Sequence, residues 1–382
     1  DPITRECKGL LIEETRTNII YPSSDWSFTN WTHENSNTSQ ESNTTDTEDP
    51  AGTFNATKIT PEQGVSTLRS IYWGTNITFT NNVNFTMSAF AKSTTGLHVQ
   101  LRPRGQGSGK AWATFNLTTG VVGNYGGSSL VSTKIEKYPN DWYRCFLTFT
   151  GGGHTGGGFG TLIMDDGNDG EAGTHTGDPS KSIFFWGAQF ETGSFATSYI
   201  PTSSATVTRG SDLTIIGGEE FSEFYNPVES TILVNHTHLD GITSSNLGTE
   251  RRVYRFRVNT GPDTRIDYVS NSNYNPYIAK DGSTVASISD GVATVFGGGA
   301  NKLAVRVKEN SFHTCQNGTL GIEDTNGAWN PTNAIDHVTL GCSATGNLND
   351  TVDDDSALCG HIQRFMYYPK GLPNSQLVTL TS

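Results

Sequence analysis

The chain has 382 residues, including 43 glycines, 16% of its residues are charged, and its formal net charge at pH 7 is −13. This length suffices for two hydrophobic cores, because domains usually run to about 100–200 residues. The acidic balance argues against nucleic acid or an anionic membrane surface as a partner, since phosphate binding needs a basic patch. No run of about 18 apolar residues is present that would predict insertion into a membrane.

Short segments of alternating apolar and polar residues recur along the chain, separated by glycine, asparagine and proline. They lie at residues 56–59, 67–73, 77–79, 85–92, 98–102, 112–117 and 142–150, and again at 251–258, 265–269, 302–308 and 311–316. Such alternation is typical of strands, and no amphipathic helix of about ten residues interrupts it. The sequence predicts an all-β protein built from sandwiches or jelly rolls.

Two glycine-rich segments follow the strands of the first half. Residues 151–160 (GGGHTGGGFG) lack the GK[ST] ending of a phosphate-binding loop and a helix after it, so we expect a flexible hairpin tip. Residues 165–171 (DDGNDGE) gather oxygen ligands on a flexible chain, as Ca²⁺ requires. They predict a structural calcium site formed by Asp165, Asp166, Asn168 and Asp169, with a solvated acidic loop as the alternative.

The segment 182–209 (SIFFWGAQFETGSFATSYIPTSSATVTR) divides the chain. It opens with an apolar run and stops at Pro201, which predicts a last buried strand followed by an exit linker. The sequence therefore predicts two tandem β-sandwich domains, residues 1–208 and 209–382. The first residue is Asp1 rather than methionine, so we expect that a leader or an upstream part was removed.

Four segments carry a family resemblance. Residues 9–18 (GLLIEETRTN), 115–121 (FNLTTGV), 141–149 (DWYRCFLTF) and 182–209 resemble, in this order, elements of the structural proteins of bacteriophage tails and tail fibres. The resemblance implies a jelly-roll domain like a carbohydrate-binding module, followed by a concanavalin-A-like, laminin-G-type sandwich. Residues 359–380 resemble the ending of that second domain, where a short helical turn packs Leu372 and Leu377 on the sandwich.

The cysteines show no metal-binding spacing. None of Cys7, Cys145, Cys315, Cys342 and Cys359 lies in a CxxC motif, so zinc is not expected. Two precede the linker and three follow it, which suggests a disulfide between Cys7 and Cys145 and another between two of the last three. Connectivity does not follow from a sequence, and buried thiols are the alternative.

Ten Asn-x-Ser/Thr sequons are present, and all but one end in threonine. They begin at Asn30, Asn37, Asn43, Asn55, Asn76, Asn84, Asn116, Asn235, Asn317 and Asn349. An asparagine-rich and threonine-rich chain generates some of these by chance. Their excess favours N-glycosylation on an extracellular surface.

A hydrolase would need two carboxylates in one cleft or a nucleophile beside a base. No motif in the sequence indicates either arrangement. His236 and His238 share one face of a strand, and a metal site would need a third ligand, so an exposed pair is expected. For glycan binding, aromatic faces would stack on sugar rings. The candidate aromatics are Trp73, Trp112 and Tyr125 in the first domain and Tyr274, Tyr277 and Trp329 in the second.

The leading hypothesis is a non-enzymatic structural or adhesion protein on a virion or an extracellular surface. It would be a glycosylated tail, fibre or capsid-decoration subunit that binds host glycans and other surface proteins. The alternative is a purely structural protein that self-assembles into a filament or coat. A glycan hydrolase is the least favoured reading, because the chain lacks the long repetitive β-helix of a tailspike.

Overall fold

The computed structural model describes residues 3–382 apart from 5, 35–37, 65–68, 106–108, 165–169, 172–175, 241, 243–250, 259–263, 271–275, 282, 290–294, 297, 330, 332, 333 and 343–356. The chain forms two compact units. The first comprises Asp1–Glu6 and Arg16–Arg209, and the second comprises Cys7–Thr15 and Gly210–Ser382. Strands dominate both units, which confirms the predicted all-β class.

The first unit is a β-sandwich of two six-stranded antiparallel sheets. Its strands are β2 (Arg16–Asn18), β3 (Trp31–Glu34), β4 (Thr38–Glu41), β5 (Thr57–Pro61), β6 (Ser70–Phe79), β7 (Asn84–Lys92), β8 (His98–Leu101), β9 (Trp112–Asn116), β10 (Val121–Gly126), β11 (Leu130–Lys137), β12 (Tyr143–Thr150), β13 (His154–Met164), β14 (Ile183–Thr192) and β15 (Val207–Arg209). The first sheet has the order β10-β9-β8-β13-β6-β3 and the second β11-β12-β7-β14-β5-β4. Strands β2 and β15 form a separate two-stranded ribbon.

Alternating apolar side chains of both sheets meet in one core. Trp26 lies at its centre, stacked between Trp31 at 4.2 Å and Phe185 at 4.5 Å between ring centroids. The indole N–H groups of Trp26 and Trp31 donate to the carbonyls of Ser23 and Pro22, at 3.2 and 3.0 Å. These buried aromatic rings therefore leave no polar group unsatisfied.

Buried polar side chains join the start of the first unit to β14 and the segment after it. Asn18 is fully buried and makes four hydrogen bonds to backbone groups, those of Ile20, Ala188, Phe190 and Ile200. Gln189 accepts the N–H of Ile200 at 2.6 Å. Asn18 and Gln189 belong to two of the four segments that resemble phage tail proteins, so those two segments have a structural role here.

Residues 154–164 form strand β13, and the prediction of a flexible hairpin tip was wrong. The strand pairs with β6 on one side and β8 on the other. Its glycines permit close backbone approach, because a Cβ atom on Gly160 would lie 2.6 Å from the carbonyl oxygen of Arg102. The glycine-rich composition therefore serves packing rather than flexibility.

The second unit is also a sandwich of two six-stranded sheets. Its strands are β1 (Leu10–Ile12), β16 (Thr214–Gly217), β17 (Glu229–His238), β18 (Arg251–Arg257), β19 (Thr264–Ser270), β20 (Pro276–Asp281), β21 (Ser283–Ser289), β22 (Asn301–Lys308), β23 (His313–Gln316), β24 (Thr319–Leu320), β25 (His337–Leu340) and β26 (Gly360–Tyr368). The sheets have the orders β1-β26-β17-β22-β23-β24 and β16-β25-β18-β19-β20-β21. Residues 7–15 thus belong to this unit, whereas the sequence assigned them to the first domain.

Two short helices complete the second unit, α1 (Gly218–Ser222) and α2 (Asn374–Thr381). Helix α2 buries Leu377 against Leu233, Ala304 and Cys315, with Leu372 partly buried beside them. This confirms the helical ending that was predicted. In the described ranges no helix has the length and hydropathy needed to cross a membrane.

Candidate functional site

The first sheet of the first unit has one face in the core and one facing away from it, which we name the outer face. Along β6, Ile71 and Trp73 point into the core, so Tyr72 between them lies on the outer face. Leu101 on β8 is a core residue, so Arg102, which follows it, points outward. Ala113 on β9 is also a core residue, so Trp112 before it points outward. Several strands therefore contribute aromatic and charged side chains to one surface.

The register aligns these positions in a row across the sheet. Tyr72 pairs with Gly160, and the N–H of Arg102 donates to the carbonyl of Gly160 at 2.9 Å. Leu101 pairs with Ala113, which sets Arg102 opposite Trp112, and Trp112 pairs with Gly126 on β10. The row thus has an aromatic side chain toward each end and a glycine between Tyr72 and Arg102.

Arg104 joins this row from the chain that follows β8. Its guanidinium carbon lies 3.3 Å from the ring centroid of Tyr72, in a cation–π stack. Its Nη1 atom is buried, lies 3.7 Å from Oε2 of Glu34 and makes no hydrogen bond to any residue that the structure describes. Arg102 has a similar neighbour, with its Nη2 atom 3.5 Å from Oε1 of Glu171. Both pairs are ion pairs that are too long for strong hydrogen bonds.

Trp112 is half-buried and lies against the backbone of Gly126. A Cβ atom on Gly126 would lie 3.2 Å from the indole atoms Nε1, Cε2 and Cζ2. Glycine is therefore the residue that lets this ring rest on the sheet. The outer face can supply flat apolar surface, guanidinium donors and carboxylate acceptors to one ligand, which is the chemistry that saccharides require.

The structure separates the aromatic residues that the sequence singled out. Trp112 is on the outer face, and Tyr125 on β10 is 60% exposed. Trp73 and Trp329 are only 8% and 3% exposed and lie in the cores of the first and second units. The prediction that they stack on sugar rings was therefore wrong. The indole of Trp73 also donates to the carbonyl of Tyr21 at 2.6 Å. Tyr277 lies on β20, and Tyr274 lies outside the described residues.

Sequence reasoning missed Tyr72, Arg102, Arg104, Glu34 and Glu171. The usable signal was the alternation along residues 71–73, because Ile71 and Trp73 on one face leave Tyr72 on the other. Nothing in the sequence signalled the Tyr72–Arg104 stack, which depends on the path of the chain after β8.

The calcium ligands that were predicted, Asp165, Asp166, Asn168 and Asp169, lie outside the described residues. Within the part of the chain that is described, no three His, Cys, Asp or Glu side chains cluster closely enough to hold a metal ion.

The described sequons fall into two groups. Asn43, Asn55, Asn76 and Asn317 are exposed, and Asn30, Asn84, Asn116 and Asn235 are half-buried. Asn37 and Asn349 lie outside the described residues. Asn235 sits on β17 in the interior of a sheet, opposite Lys302 and Arg364 on the adjacent strands, and its Oδ1 atom is buried.

All five cysteines are thiols. The predicted disulfide between Cys7 and Cys145 was therefore wrong, and so was the predicted disulfide between two of the last three cysteines. Cys145 is on β12 and points into the core of the first unit, whereas Cys7 is exposed and belongs to the second. Burial raises the pKa of the Cys145 thiol well above its usual value. The thiol of Cys359 instead contacts Glu14 at 3.2 Å and Arg251 at 3.3 Å.

His236 and His238 share a face of β17, as predicted, but the expectation of an exposed pair was wrong. They are 0% and 1% exposed, with ring centroids 5.6 Å apart. His238 contacts the hydroxyl of Ser270 and the carbonyl of Leu358 through its two ring nitrogens. Among the described residues, neither nitrogen of His236 has a hydrogen-bond partner.

Comparison with known proteins gives limited information. No family model matches the sequence, and no curated protein matches it. A native heptameric SAP-like pentraxin from Limulus polyphemus is 11% identical with a TM-score of 0.33, over 45% of this chain and 82% of that chain. The LG1-3 region of the laminin alpha2 chain is 11% identical with a TM-score of 0.30, over 82% of this chain and 66% of that one.

Domains LG4-5 of the mouse laminin alpha1 chain are 10% identical with a TM-score of 0.30, over 82% of this chain and 88% of that one. Similarities of this size carry no information about a ligand. The resemblance to bacteriophage tail proteins stays a prediction from the four sequence segments.

Proposed function

We propose that this chain is a non-enzymatic adhesion protein of a virion or extracellular surface, and that its first unit binds glycans at the outer face. The observation that carries the proposal is the row of Tyr72, Arg102 and Trp112 across one sheet, with Arg104 stacked on Tyr72. It offers aromatic surface and paired charges on a rigid sheet.

Each part of this row suits a different part of a sugar. The C–H face of a pyranose ring is apolar, and covering it with the indole of Trp112 removes both surfaces from water. The ring hydroxyls need donors and acceptors at once, which the guanidinium of Arg102 or Arg104 and the carboxylate of Glu34 or Glu171 supply. Binding would then combine weak stacking with oriented hydrogen bonds.

The remaining features of the proposal rest on the sequence. The four segments that resemble phage tail and tail-fibre proteins support display on a virion, as a tail, fibre or capsid-decoration subunit. Occupied sequons would make it a glycoprotein. The acidic loop of residues 165–169 would hold a structural calcium ion.

A second candidate function is self-assembly into a filament or coat. Val121 and Tyr125 on β10 and Val131 on β11 are 53%, 60% and 47% exposed. These strands form edges of the two sheets, and an edge strand with exposed apolar side chains can pair with another copy. Sedimentation velocity at several concentrations tests this, since self-assembly requires a sedimentation coefficient that rises with concentration.

A glycan array with purified protein tests the proposed function. We expect wild-type binding, with signals at least about tenfold weaker for Trp112→Ala, which removes a stacking surface, and for Tyr72→Ala, which removes the ring that holds Arg104 in place. Gly126→Val should weaken binding as well, since its side chain displaces the Trp112 ring. Phe54→Ala is the matched control, because Phe54 is 45% exposed but precedes β5 of the second sheet. Absence of binding to any glycan would overturn the proposal.

A further inference from the structure

We infer that the outer face selects a neutral oligosaccharide, whose hydroxyl groups bridge the Arg104–Glu34 and Arg102–Glu171 pairs, and rejects sugars that carry a carboxylate. The inference deepens the proposed function and rests on it. It concerns which class of glycan the same residues accept.

The two described ion pairs of the outer face are each neutral overall. Arg102 and Arg104 are opposed by Glu34 and Glu171, so these four side chains sum to zero. A carboxylate brought to either guanidinium would also approach the acidic partner of that guanidinium, and like charges repel at short range. The net charge of −13 on the chain adds to this repulsion at low ionic strength.

The two ion-pair distances suit an inserted hydroxyl. The nitrogen–oxygen distance is 3.7 Å in the Arg104–Glu34 pair and 3.5 Å in the Arg102–Glu171 pair. Both distances exceed the length of a strong charge-assisted hydrogen bond. A hydroxyl group placed about 2.8 Å from both atoms of a pair would accept from the guanidinium and donate to the carboxylate. At Arg104 this requires Glu34 to move aside, because the Nη1 atom is buried. Only a group that is donor and acceptor at once can do this, and a sugar hydroxyl is one.

The stack on Tyr72 fixes the guanidinium of Arg104. A planar guanidinium held 3.3 Å from the ring centroid keeps the directions of its N–H groups, whereas a lysine ammonium would rotate. The row from Tyr72 to Trp112 crosses three strand intervals, from β6 through β13 and β8 to β9. At about 4.8 Å for each interval this is about 14 Å, a span that an oligosaccharide fills better than a single sugar.

The test compares neutral glycans with their sialylated or uronic-acid counterparts on one array, followed by titration of the strongest neutral glycan at low and high salt. We expect the neutral member of each bound pair to bind at least about tenfold more tightly, with affinity nearly independent of salt. Glu34→Gln should weaken neutral binding about tenfold, because it removes the charged acceptor, and should raise binding of the acidic counterpart.

Arg104→Lys keeps the charge and loses the planar stack, so neutral binding should again fall about tenfold. The control is Glu136→Gln, which neutralises a comparable exposed pair with Lys134 on β11 of the second sheet and should change nothing. Preference for acidic glycans, or affinity that collapses with salt, would overturn the inference and leave the proposed function standing. Absence of any glycan binding would overturn both.

Discussion

The Oδ1 atom of Asn18 accepts the backbone N–H of Phe190 at 3.1 Å, although 172 positions separate the two residues in the chain. The same oxygen accepts the N–H of Ile20, and the Nδ2 atom donates to the carbonyls of Ala188 and Ile200. One fully buried amide thereby uses its donors and acceptor on four backbone groups. It ties the start of the first unit to strand β14 and to the segment after it.

Replacing Asn18 should destabilise the first unit. Asn18→Ala leaves four buried backbone groups without their partners, and we expect a loss of about 2–4 kcal/mol in the free energy of unfolding. Urea unfolding followed by tryptophan fluorescence measures it. Thr17→Ala is the neighbouring control, because it removes only the exposed contact with the Thr208 hydroxyl and should cost under about 0.5 kcal/mol. Equal stability of the two variants would contradict this role.

The sequence predicted fold class well because alternation follows directly from strand geometry. It predicted less well which side chains of a strand face the core. Because neighbouring side chains point to opposite faces of a sheet, an error of one residue assigns the whole strand to the wrong face. Trp73 was taken as a surface aromatic, yet Ile71 and Trp73 together mark the core face and leave Tyr72 outside. His236 and His238 continue the inward face of Ile232 and Val234 on β17, so their pattern indicated burial.

Other features depend on contacts that no local pattern encodes. The stack of Arg104 on Tyr72 brings together two segments from different parts of the first sheet. The glycine-rich sequence of β13 was predicted to be a flexible loop. The structural reason for a glycine such as Gly160 is the close approach of a neighbouring backbone segment, which the sequence does not show. Both features are consequences of tertiary packing.

Sequon occupancy should follow exposure. On expression in eukaryotic cells, we expect glycans at Asn43, Asn55, Asn76 and Asn317. Asn235 should stay bare, because its Oδ1 atom is buried between the side chains of adjacent strands and a glycan there would separate them. Glycopeptide mass spectrometry reads each site separately. Full occupancy at Asn235 together with bare exposed sites would contradict the expectation.

Calcium should stabilise the first unit. If Asp165, Asp166, Asn168 and Asp169 bind Ca²⁺, the ion relieves repulsion among their carboxylates and favours the folded state. At a calcium concentration one hundred times the dissociation constant, linkage predicts about 2.7 kcal/mol. Calorimetry with calcium and with chelator measures the shift in Tm, and Asp166→Asn should reduce it. An unchanged Tm, with no calcium in metal analysis, would leave the loop a solvated turn.

His236 and His238, two of the buried histidines of the second unit, should make it sensitive to acid. Burial, reinforced by the neighbouring His238, lowers the pKa of His236 well below its usual value. Burial also lowers the pKa of His238 to about 4, with Arg251 contributing and the Leu358 carbonyl opposing. Both rings are therefore neutral in the folded protein at pH values where an unfolded histidine, with a pKa of about 6.5, takes up a proton.

The sign of the pH dependence follows from this difference. Above about pH 6.5 both states are neutral and the stability is complete; as the pH falls toward 4, the unfolded state binds more protons and stability is lost. Each histidine contributes at most about 1.36 kcal/mol per pH unit in that window. Urea unfolding of the second unit at pH 7 and pH 5 should show the loss.

His236→Phe isolates the contribution of one ring. The variant keeps an aromatic ring of similar size and removes two nitrogens that bond to nothing in the described part of the chain. At pH 7 its stability should therefore equal or exceed that of the wild type. Between pH 7 and pH 5 it should lose less stability than the wild type, because one histidine with a lowered pKa has been removed. His154→Phe, in the first unit, serves as the control and should leave the pH dependence of unfolding of the second unit unchanged. A variant with the full wild-type pH dependence would show that His236 does not carry the effect.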